Sequence, residues 1–377
     1  MKLTLLKNSI SIFLIDIFFL SLLFEDLFIF HFLGLNLNIY DPLIFIYVIY
    51  YRKVKIPNGS LFMNLFILVF LISISVGFLI SILNGIYGGI TLFFQGLRSV
   101  TYFYFLYFAF FNCGKSLYDY FFRFRFYIIF CFLSSVFLLI GFPFEGTYEK
   151  GDFGLFRHSF FVKDPNFLLI ILSPIYFSLI HKKAWFYISM TLIIAVATFS
   201  RSLLFVYLLI LILSFVKNIN KKLLILILLI FVYLIQKIDF SEFSNLMSYI
   251  DRFSSGSPRF LIWEALYNDF WNNNLLFGSG LRSAAIISFN VGDNPYPHST
   301  IVETLYEQGL FGLFGLLILF IGYIQFLYKN FNYYNLGIFL INLMGLFLFT
   351  YIWLPIFWFF MSTHFKVKDD KYSSSYI

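Results

Sequence analysis

The chain is a succession of apolar segments, many of them long enough to cross a lipid bilayer, separated by polar links. A helix needs about 20 apolar residues to span the ~30 Å hydrocarbon layer. Hydrophobic residues make up 61% of the chain and charged residues 12%, whereas soluble domains carry about 25% charged residues. Lipid must therefore solvate most of this apolar surface. We predict an all-α polytopic membrane protein that forms a single membrane domain over residues 1–377.

About 12 segments have the length and hydropathy of membrane spans. They lie near Ser9–Phe24, Leu27–Tyr51, Leu61–Ile82, Gly89–Phe111, Phe126–Gly141, Asn166–Ile180, Ala184–Phe199, Ser202–Phe215, Leu223–Ile235, Ile301–Tyr328, Asn335–Thr350 and Trp353–Met361. Asn36, Asn38 and Asp41 interrupt the second segment, and Pro355 interrupts the last. Both would be short or broken helices whose backbone neighbouring protein covers.

The basic residues predict the orientation in the membrane, because cytoplasmic loops carry an excess of Lys and Arg. With both termini in the cytoplasm, 17 of the 26 basic residues fall inside, 8 fall outside and Arg98 lies within a span. They form small clusters between apolar runs, so the formal charge of +7 reflects topology. We expect no nucleic-acid partner.

The inside charges are mostly Lys and the outside charges are mostly Arg. Lys is a compact, strongly hydrated charge, whereas the planar fork of Arg binds phosphate or carboxylate at two points. The outer loops break the positive-inside preference and do so with Arg. This pattern indicates an anionic ligand on the outer side.

Residues 237–300 form the longest polar stretch of the chain, and a loop of this length is usually functional or disordered. Two runs within it have helical spacing: Phe240, Phe243, Met247, Ile250 and Phe253, then Trp263, Leu266, Tyr267, Phe270 and Trp271. In the second run Glu264, Asn268 and Asp269 fall on the other face. We predict two amphipathic helices on the outer membrane surface, with aromatic residues at the headgroups.

Two outer arginines are candidate anion ligands. Arg259 follows Ser257, which can cap a helix, and Pro258, which suits its first position. Arg259 would stand beside the unbonded N–H groups of the first turn, where phosphate binds readily. Arg201 lies in a short hinge between two spans and is held near the outer surface. The simpler interpretations are an ion pair with Asp251 or lipid contacts for Arg259, and snorkelling for Arg201.

His298 directly precedes a predicted span and is suited to proton transfer near neutral pH, although a single His is more often structural. Glu303 and Glu307 follow at a spacing of four residues, on one face at the outer end of the helix. A carboxylate facing lipid there would be costly, so both should face a polar cavity. Gly309, Gly312 and Gly315 then form a predicted close-packing face.

The remaining candidates carry weaker signals. Gly278-Ser279-Gly280-Leu281-Arg282 is too short for a nucleotide fingerprint and suggests a turn that brings Arg282 to the site. Arg98 needs an acidic or ligand partner within its span. Cys113 and Cys131 form neither a disulfide framework nor a metal-ligand cluster. We expect no metal and no cofactor.

The chain resembles the O-antigen ligase and polymerase superfamily of bacterial polysaccharide assembly, over roughly its C-terminal two-thirds. The resemblance rests on motifs in a fixed order: Arg157 through Asp164-Pro165-Asn166, Phe199-Ser200-Arg201-Ser202, Arg259 with Trp263, Gly278 and Gly280, Pro297-His298, then Glu307, Gly309 and Gly312. One departure is Ser299, where the family often has Asn after the His.

The resemblance implies metal-independent, inverting glycosyl transfer at the periplasmic face of the bacterial inner membrane. The donor would be an oligosaccharide on undecaprenyl diphosphate. Arg201, Arg259, Arg282 and Arg157 would bind the diphosphate, His298 and Glu307 would act on the acceptor hydroxyl, and Arg98 and Glu303 would support them. Membrane lipid, a chain-length regulator and the flippase of the same pathway are the implied partners.

Within this superfamily we favour the O-antigen polymerase, because the Phe-rich, AT-rich character resembles genes of variable polysaccharide clusters. A ligase, which transfers the glycan to lipid A-core, is the alternative. A lipid-linked oligosaccharide flippase or other transporter also has about a dozen helices, but such proteins show internal repeats and binding groups near the midplane. This chain shows no repeat, and its polar groups cluster at the predicted outer end.

Overall fold

The apolar segments fold as helices. The computed structural model describes residues 2–23, 29–32, 35–38, 41–51, 61–113, 117–142, 148–150, 156–160, 162, 164–198, 200–215, 258–271, 275–292, 298–348, 352–353 and 355–366. The elements are α1 (Lys2–Leu23), β1 (Ile29–Phe32), β2 (Leu35–Asn38), α2 (Asp41–Tyr51), α3 (Leu61–Leu83), α4 (Gly88–Cys113), α5 (Leu117–Phe122), α6 (Arg125–Leu139), β3 (Tyr148–Lys150), β4 (Phe156–His158), α7 (Pro165–His181), α8 (Trp185–Ala197), α9 (Arg201–Phe215), α10 (Pro258–Phe270), α11 (Ser283–Gly292), α12 (Thr300–Lys329), α13 (Tyr333–Leu348) and α14 (Pro355–Lys366). The strands form two antiparallel hairpins, β1–β2 and β3–β4.

Among the described residues, α3 and α12 are long and apolar enough to cross a membrane by length and composition. Shorter apolar helices include α6, α7, α8 and α13. The predicted spans from Leu61–Ile82 onward that fall on described residues are mainly helical, although Trp353 lies in a turn before α14, and Leu223–Ile235 lies outside the described residues. The helical class is confirmed, and the number of about 12 crossings stays a prediction.

The predicted span Leu27–Tyr51 is wrong as a single helix, because the segment folds as the β1–β2 hairpin followed by α2. The polar residues that interrupt it explain the difference. Leu35–Asn38 alternates apolar and polar side chains with the two-residue period of a strand. Pro42 then falls in the first turn of α2, where its missing N–H has no helical partner to lose.

Aromatic rings fill much of the interior. Phe359 of α14 packs against Phe18 and Phe19 of α1, with ring centroids 6.2 and 5.5 Å away, and against Phe110 of α4 and Phe121 of α5, at 5.8 and 5.6 Å. Such offset and edge-on pairs add stability beyond the buried area itself. The abundant Phe residues therefore serve packing among the helices.

The long helices run back and forth between two ends of the molecule. At one end, which we call the Arg282 end, the α3–α4 turn meets Arg282, and the N–H of Ile352 donates to Thr300 Oγ1 over 3.4 Å. At the opposite end the ring of Tyr118 stacks on His181 at 4.0 Å and meets Tyr334 at 5.0 Å. Since α7 and α8 connect at the opposite end, Pro165 and Arg201 return to the Arg282 end.

Candidate functional site

The site is built around a kink in α12. Gly309 has φ 66° and ψ −161°, which interrupts the helix between Gln308 and Leu310. In a continuous helix the N–H groups of Leu310 and Phe311 would donate to the carbonyls of Tyr306 and Glu307. The kink breaks both bonds and leaves four backbone groups that need other partners.

Residues 275–281, which we call the splint, supply those partners. The N–H groups of Ser279 and Gly280 donate to the carbonyls of Tyr306 and Glu307 over 2.9 and 3.0 Å. The N–H groups of Leu310 and Phe311 donate to the carbonyls of Leu275 and Leu276 over 2.9 and 3.0 Å. The splint thus replaces both broken helical hydrogen bonds from outside the helix.

The splint and the kink touch backbone to backbone, which requires glycine on both sides. A Cβ at Gly278 would lie 2.5 Å from the carbonyl carbon of Glu307, and one at Gly309 would lie 2.5 Å from the carbonyl oxygen of Leu276. Gly278 also has a φ of 74°, which side chains other than glycine rarely adopt. The motif predicted as a simple turn therefore forms an intersegment contact.

The three glycines of α12 do not share one packing face as predicted. Gly309 forms the kink, and a Cβ at Gly312 would meet Gln308 and Thr304 of its own helix. Gly315 does contact a neighbour, since its Cβ would lie 3.0 Å from Val69 of α3. The prediction of a close-packing face is wrong for Gly309 because a positive φ takes it out of the helical repeat.

Helix α3 anchors the other side of the splint. The N–H of Leu281 donates to the Gly77 carbonyl over 3.1 Å. The Ser81 hydroxyl lies 2.8 Å from both the Gly77 and the Leu281 carbonyl oxygens. Asn84 Nδ2 donates to the Ser279 carbonyl over 3.2 Å. The splint is therefore held between α3 and α12.

The chain leaves the splint through Arg282, whose φ is 71°, and enters α11. There the Glu307 carboxylate accepts hydrogen bonds from the backbone N–H groups of Arg282 and Ala284, and Oε1 lies 3.3 Å from the Ala284 nitrogen. An anion is favoured at this position because the first turn of a helix presents N–H groups without helical partners. Glu307 Oε2 has no hydrogen-bond partner among the described residues.

Glu303 is buried beside Glu307, and Arg282 lies close enough to act electrostatically on both carboxylates. The indole N–H of Trp353 is next to Glu303 without a hydrogen bond of normal geometry. Within the described part of the chain, four buried polar atoms of this region have no hydrogen-bond partner: Ser279 Oγ, Glu303 Oε2, Glu307 Oε2 and Trp353 Nε1. Buried polar groups are normally bonded, so these donors and acceptors suit a hydroxyl group, which does both.

His298 lies just before this carboxylate pair in the sequence. It has a φ of 52°, and it precedes Ser299, whose hydroxyl caps α12 by accepting from the Val302 N–H over 3.4 Å. Ser299 is the residue at which the chain departs from the superfamily pattern. Here it has a structural use as the helix cap.

Helix α10 begins at Pro258, as predicted, and Arg259 is its second residue. Ser257 and the first predicted amphipathic helix lie outside the described residues. The face that α10 buries consists of Ile262, Leu266 and Phe270, with Trp263 half-buried beside them, and it packs against α11 and α12.

Three side chains in and just after α10 differ from the predicted faces. Tyr267 and Trp271 are exposed, and their rings meet edge to face at 5.8 Å. Asp269, predicted on the polar face, is half-buried and accepts a hydrogen bond from the Tyr306 hydroxyl of α12. The buried face is thus turned toward α12, because Asp269 has a partner there.

The structure places the backbones of the other predicted arginines but describes the side chain of Arg98 alone among them. Arg201 opens α9 at the Arg282 end, and Arg157 lies in β4 opposite Glu149 of β3. Arg98 lies further along α4, 3.6 Å from Asp41, which also accepts a hydrogen bond from Tyr102. This ion pair gives Arg98 the acidic partner its span requires, and a role in ligand binding stays a prediction.

His158, next to Arg157 in β4, is a buried group that sequence reasoning missed. Its side chain is 0% exposed, and neither ring nitrogen has a hydrogen-bond partner among the described residues. Burial lowers the pKa of His158 from 6.5 to about 4, because the charged imidazolium would lose its hydration. The imidazole is therefore neutral at physiological pH.

An apolar groove of about 450 Å³ lies beside the kink, between α12 and α13. It is lined by Ile301, Leu310, Leu313, Phe314, Leu316, Leu317, Phe320, Leu343, Leu346 and Phe347. Phe314 and Leu317 are half exposed, so the groove opens on the outside of the helices. No group of three or more His, Cys, Asp or Glu in the described ranges is arranged to hold a metal ion.

The structure brings together Arg282, Glu303 and Glu307, all of which the sequence singled out. The structure adds Ser81 and Trp353 to this site, and the sequence did not single out either residue. A serine in an apolar helix gives no signal, because most of these hydroxyls bond only their own backbone. Trp353 was predicted as the start of a span, where an aromatic residue is ordinary.

Residues 186–317 match the family model described as O-antigen ligase, which covers 132 of the 377 residues. The match begins in α8 and ends in α12 beyond the kink, so it includes the splint, Arg282, His298 and both glutamates. No curated protein matches the chain. The match confirms the resemblance drawn from the motifs, and with the apolar helices it indicates a membrane protein. Over residues 186–317 the chain is therefore similar to the O-antigen ligase family.

Proposed function

We propose that the protein is an O-antigen polymerase, which transfers a growing glycan from undecaprenyl diphosphate onto the next lipid-linked repeat unit at the periplasmic face of the inner membrane. The observation that carries this proposal is the gathering of Arg282, Glu303 and Glu307 at one end of the helices, inside the region that matches the family. The polymerase fits the gene's compositional character, and the ligase fits the name of the family that residues 186–317 match.

The proposed reaction is a single displacement without a metal. An acceptor sugar hydroxyl attacks the anomeric carbon, the bond from that carbon to the phosphate oxygen breaks, and the diphosphate leaves with the electron pair. Arg201, Arg259, Arg282 and Arg157 bind the diphosphate and stabilise its charge. His298 or Glu307 takes the hydroxyl proton. Glu307 Oε2 supports this role because it has no partner among the described residues.

The apolar groove supports a lipid-linked donor. It begins at Ile301 and Leu310, close to the carboxylates, and its lining is almost entirely hydrocarbon. A polyprenyl chain lying there would place its diphosphate near the Arg282 end. Within a bilayer such a surface would hold an isoprenoid mainly through van der Waals contacts, because the surrounding lipid tails are equally apolar.

The test is a glycan gel of a strain that lacks this gene, complemented with wild type or with His298→Ala. The polymerase predicts that the deletion leaves lipid A-core with a single repeat unit, and that His298→Ala fails to restore long chains. Lipid A-core without any repeat, together with polymer accumulating on undecaprenyl diphosphate, would assign the ligase instead. Repeat units trapped at the cytoplasmic face would overturn both and indicate a flippase.

A further inference from the structure

We propose that Ser81 is a positioning residue for the transfer reaction, acting on Glu307 through the splint; the inference rests on the proposed function in assigning Glu307 to the acceptor. Ser81 lies on α3, outside the region that matches the family. Its influence would run from its hydroxyl to the Leu281 carbonyl, then through Arg282 and Ala284 to the carboxylate.

The first step is that the splint fixes the backbone of Glu307. The Glu307 carbonyl accepts from Gly280 rather than from Phe311 of its own helix. The same backbone groups could close a straight helix if the splint moved away, because glycine at position 309 tolerates either conformation. The direction of the Glu307 side chain therefore depends on where the splint is held.

The second step is that the donors to the Glu307 carboxylate belong to residues directly after the splint. The N–H groups of Arg282 and Ala284 hold the carboxylate. A shift of Leu281 moves both donors, since only one peptide unit separates it from Arg282. A displacement on the order of 1 Å at a reacting group can lower a rate by up to about a hundredfold.

The third step is that Ser81 holds Leu281 from the side of α3. Its side chain is 0% exposed, and its hydroxyl lies 2.8 Å from the Leu281 carbonyl oxygen. The packing leaves this hydroxyl little freedom, because a Cβ at Gly89 would lie 2.7 Å from Ser81 Oγ and one at Gly280 would lie 2.9 Å from it. Removing the hydroxyl takes away the single proton that the Gly77 and Leu281 carbonyls share, and it creates only a small void.

The experiment compares Ser81→Ala with Ser75→Ala in purified protein reconstituted into liposomes, with isolated lipid-linked repeat units as substrate. Ser75 is a matched control, since it is on the same helix and its hydroxyl bonds the Leu71 carbonyl over 2.8 Å as that of Ser81 bonds Gly77. We expect Ser81→Ala to lower kcat roughly tenfold with KM unchanged. Ser75→Ala should leave both constants at the wild-type level, and the two variants should have similar thermal midpoints.

A wild-type kcat in Ser81→Ala would overturn the proposal, and so would a loss confined to KM or explained by a lower thermal midpoint. If Ser81→Ala does not fold, Asn84→Ala loosens the splint at Ser279 and should lower kcat less, again at constant KM. A wild-type kcat in Asn84→Ala would then count against the proposal. Glu307→Gln tests the proposed role of Glu307 separately from the positioning role of Ser81. Full activity of the Glu307→Gln variant would show that Glu307 takes no part in the transfer, whatever the result for Ser81→Ala.

Discussion

The Glu307 carboxylate has two oxygens in different surroundings. One is held by backbone N–H groups at the start of α11, and the other has no partner among the described residues. Such an arrangement fixes the side chain and leaves one oxygen for a ligand hydroxyl. Charged residues within apolar sequence can be recognised in advance, because their burial is costly unless they have a use. Glu303 and Glu307 were predictable for that reason, whereas Arg282 is indicated by the glycine-rich turn that precedes it.

A first residue-scale prediction concerns Arg259. Arg259→Ala should abolish long-chain glycan while the protein is still expressed, because Arg259 is proposed to bind the diphosphate and is the second residue of α10, where free first-turn N–H groups favour an anion. Arg259→Lys should restore little, since an ammonium cannot replace the two-point grip of the guanidinium. The readout is the glycan gel with an immunoblot for expression.

Arg125 provides the matched control for Arg259. It lies at the opposite end, where its guanidinium covers the rings of Phe122 and Phe126 at 4.5 Å each. Arg125→Lys should keep full activity. Wild-type chain length in Arg259→Ala would remove this residue from the diphosphate site.

A second prediction concerns pH and His158. The folded protein holds the His158 pKa at about 4, whereas the unfolded chain takes up the proton near 6.5. The contribution of His158 to the free energy of unfolding is therefore fully present above about pH 6.5 and is lost as the pH falls toward 4. The loss should reach roughly 2 kcal/mol near pH 5, since each pKa unit corresponds to about 1.4 kcal/mol.

Thermal unfolding in detergent at about pH 7.5 and about pH 5 measures this effect. His158→Phe should remove most of the difference between the two midpoints. His181→Phe is the control, because His181 is exposed at the end of α7 and burial lowers its pKa less than that of His158, so this variant should keep most of the difference. An equal pH response in His158→Phe and wild type would contradict the assignment.

At the scale of elements, hydrophobic periodicity located most helices because burial against lipid or other helices follows the 3.6-residue repeat. Hydrophobic periodicity did not predict the secondary structure where hydrogen bonds between backbone segments determine it. Residues 29–38 pair as strands, and α12 bends at Gly309 because residues 275–281 bind the backbone groups on both sides of the kink. A contact between segments 30 residues apart leaves no local sequence signal beyond the glycines themselves.

We expect Gly→Ala substitutions at three positions to lower the free energy of unfolding by different amounts, because only two of them lie at the kink. Gly85, Gly278 and Gly309 all have positive φ, yet a Cβ at Gly85 would meet nothing within 4 Å. Gly85→Ala therefore measures the backbone strain alone, about 1 kcal/mol. Gly278→Ala and Gly309→Ala add a clash at 2.5 Å and should cost roughly 3 kcal/mol or more.

Thermal midpoints of the three variants, with glycan gels of complemented strains, test this order. Gly85→Ala should stay active, and the other two should lose activity together with stability. Equal midpoints for Gly309→Ala and Gly85→Ala would show that no close backbone contact forms at the kink.

At the scale of the whole molecule, the charge pattern predicts which links share a side of the membrane, and this topology stays a prediction. Which end faces the periplasm is a prediction from the positive-inside rule. Tyr87→Cys should react with a membrane-impermeant maleimide on intact spheroplasts, because Tyr87 is 85% exposed in the α3–α4 turn at the Arg282 end.

Lys329→Cys, exposed at the other end of α12, should react only after the membrane is permeabilised. Wild type gives the background, to which the buried Cys131 should contribute little. Labelling of Lys329→Cys but not Tyr87→Cys in intact spheroplasts would invert the orientation and put the carboxylates on the cytoplasmic side.

The kink also sets how α12 fits its membrane. Residues 310–329 form a helix of about 30 Å, which matches a typical hydrocarbon thickness, so the residues before Gly309 belong at headgroup level. Longer or shorter acyl chains would tilt or sink this helix. The height of Glu303 and Glu307 relative to a membrane-bound diphosphate then follows the lipid, so the acyl-chain length of the host membrane becomes one of the determinants of turnover.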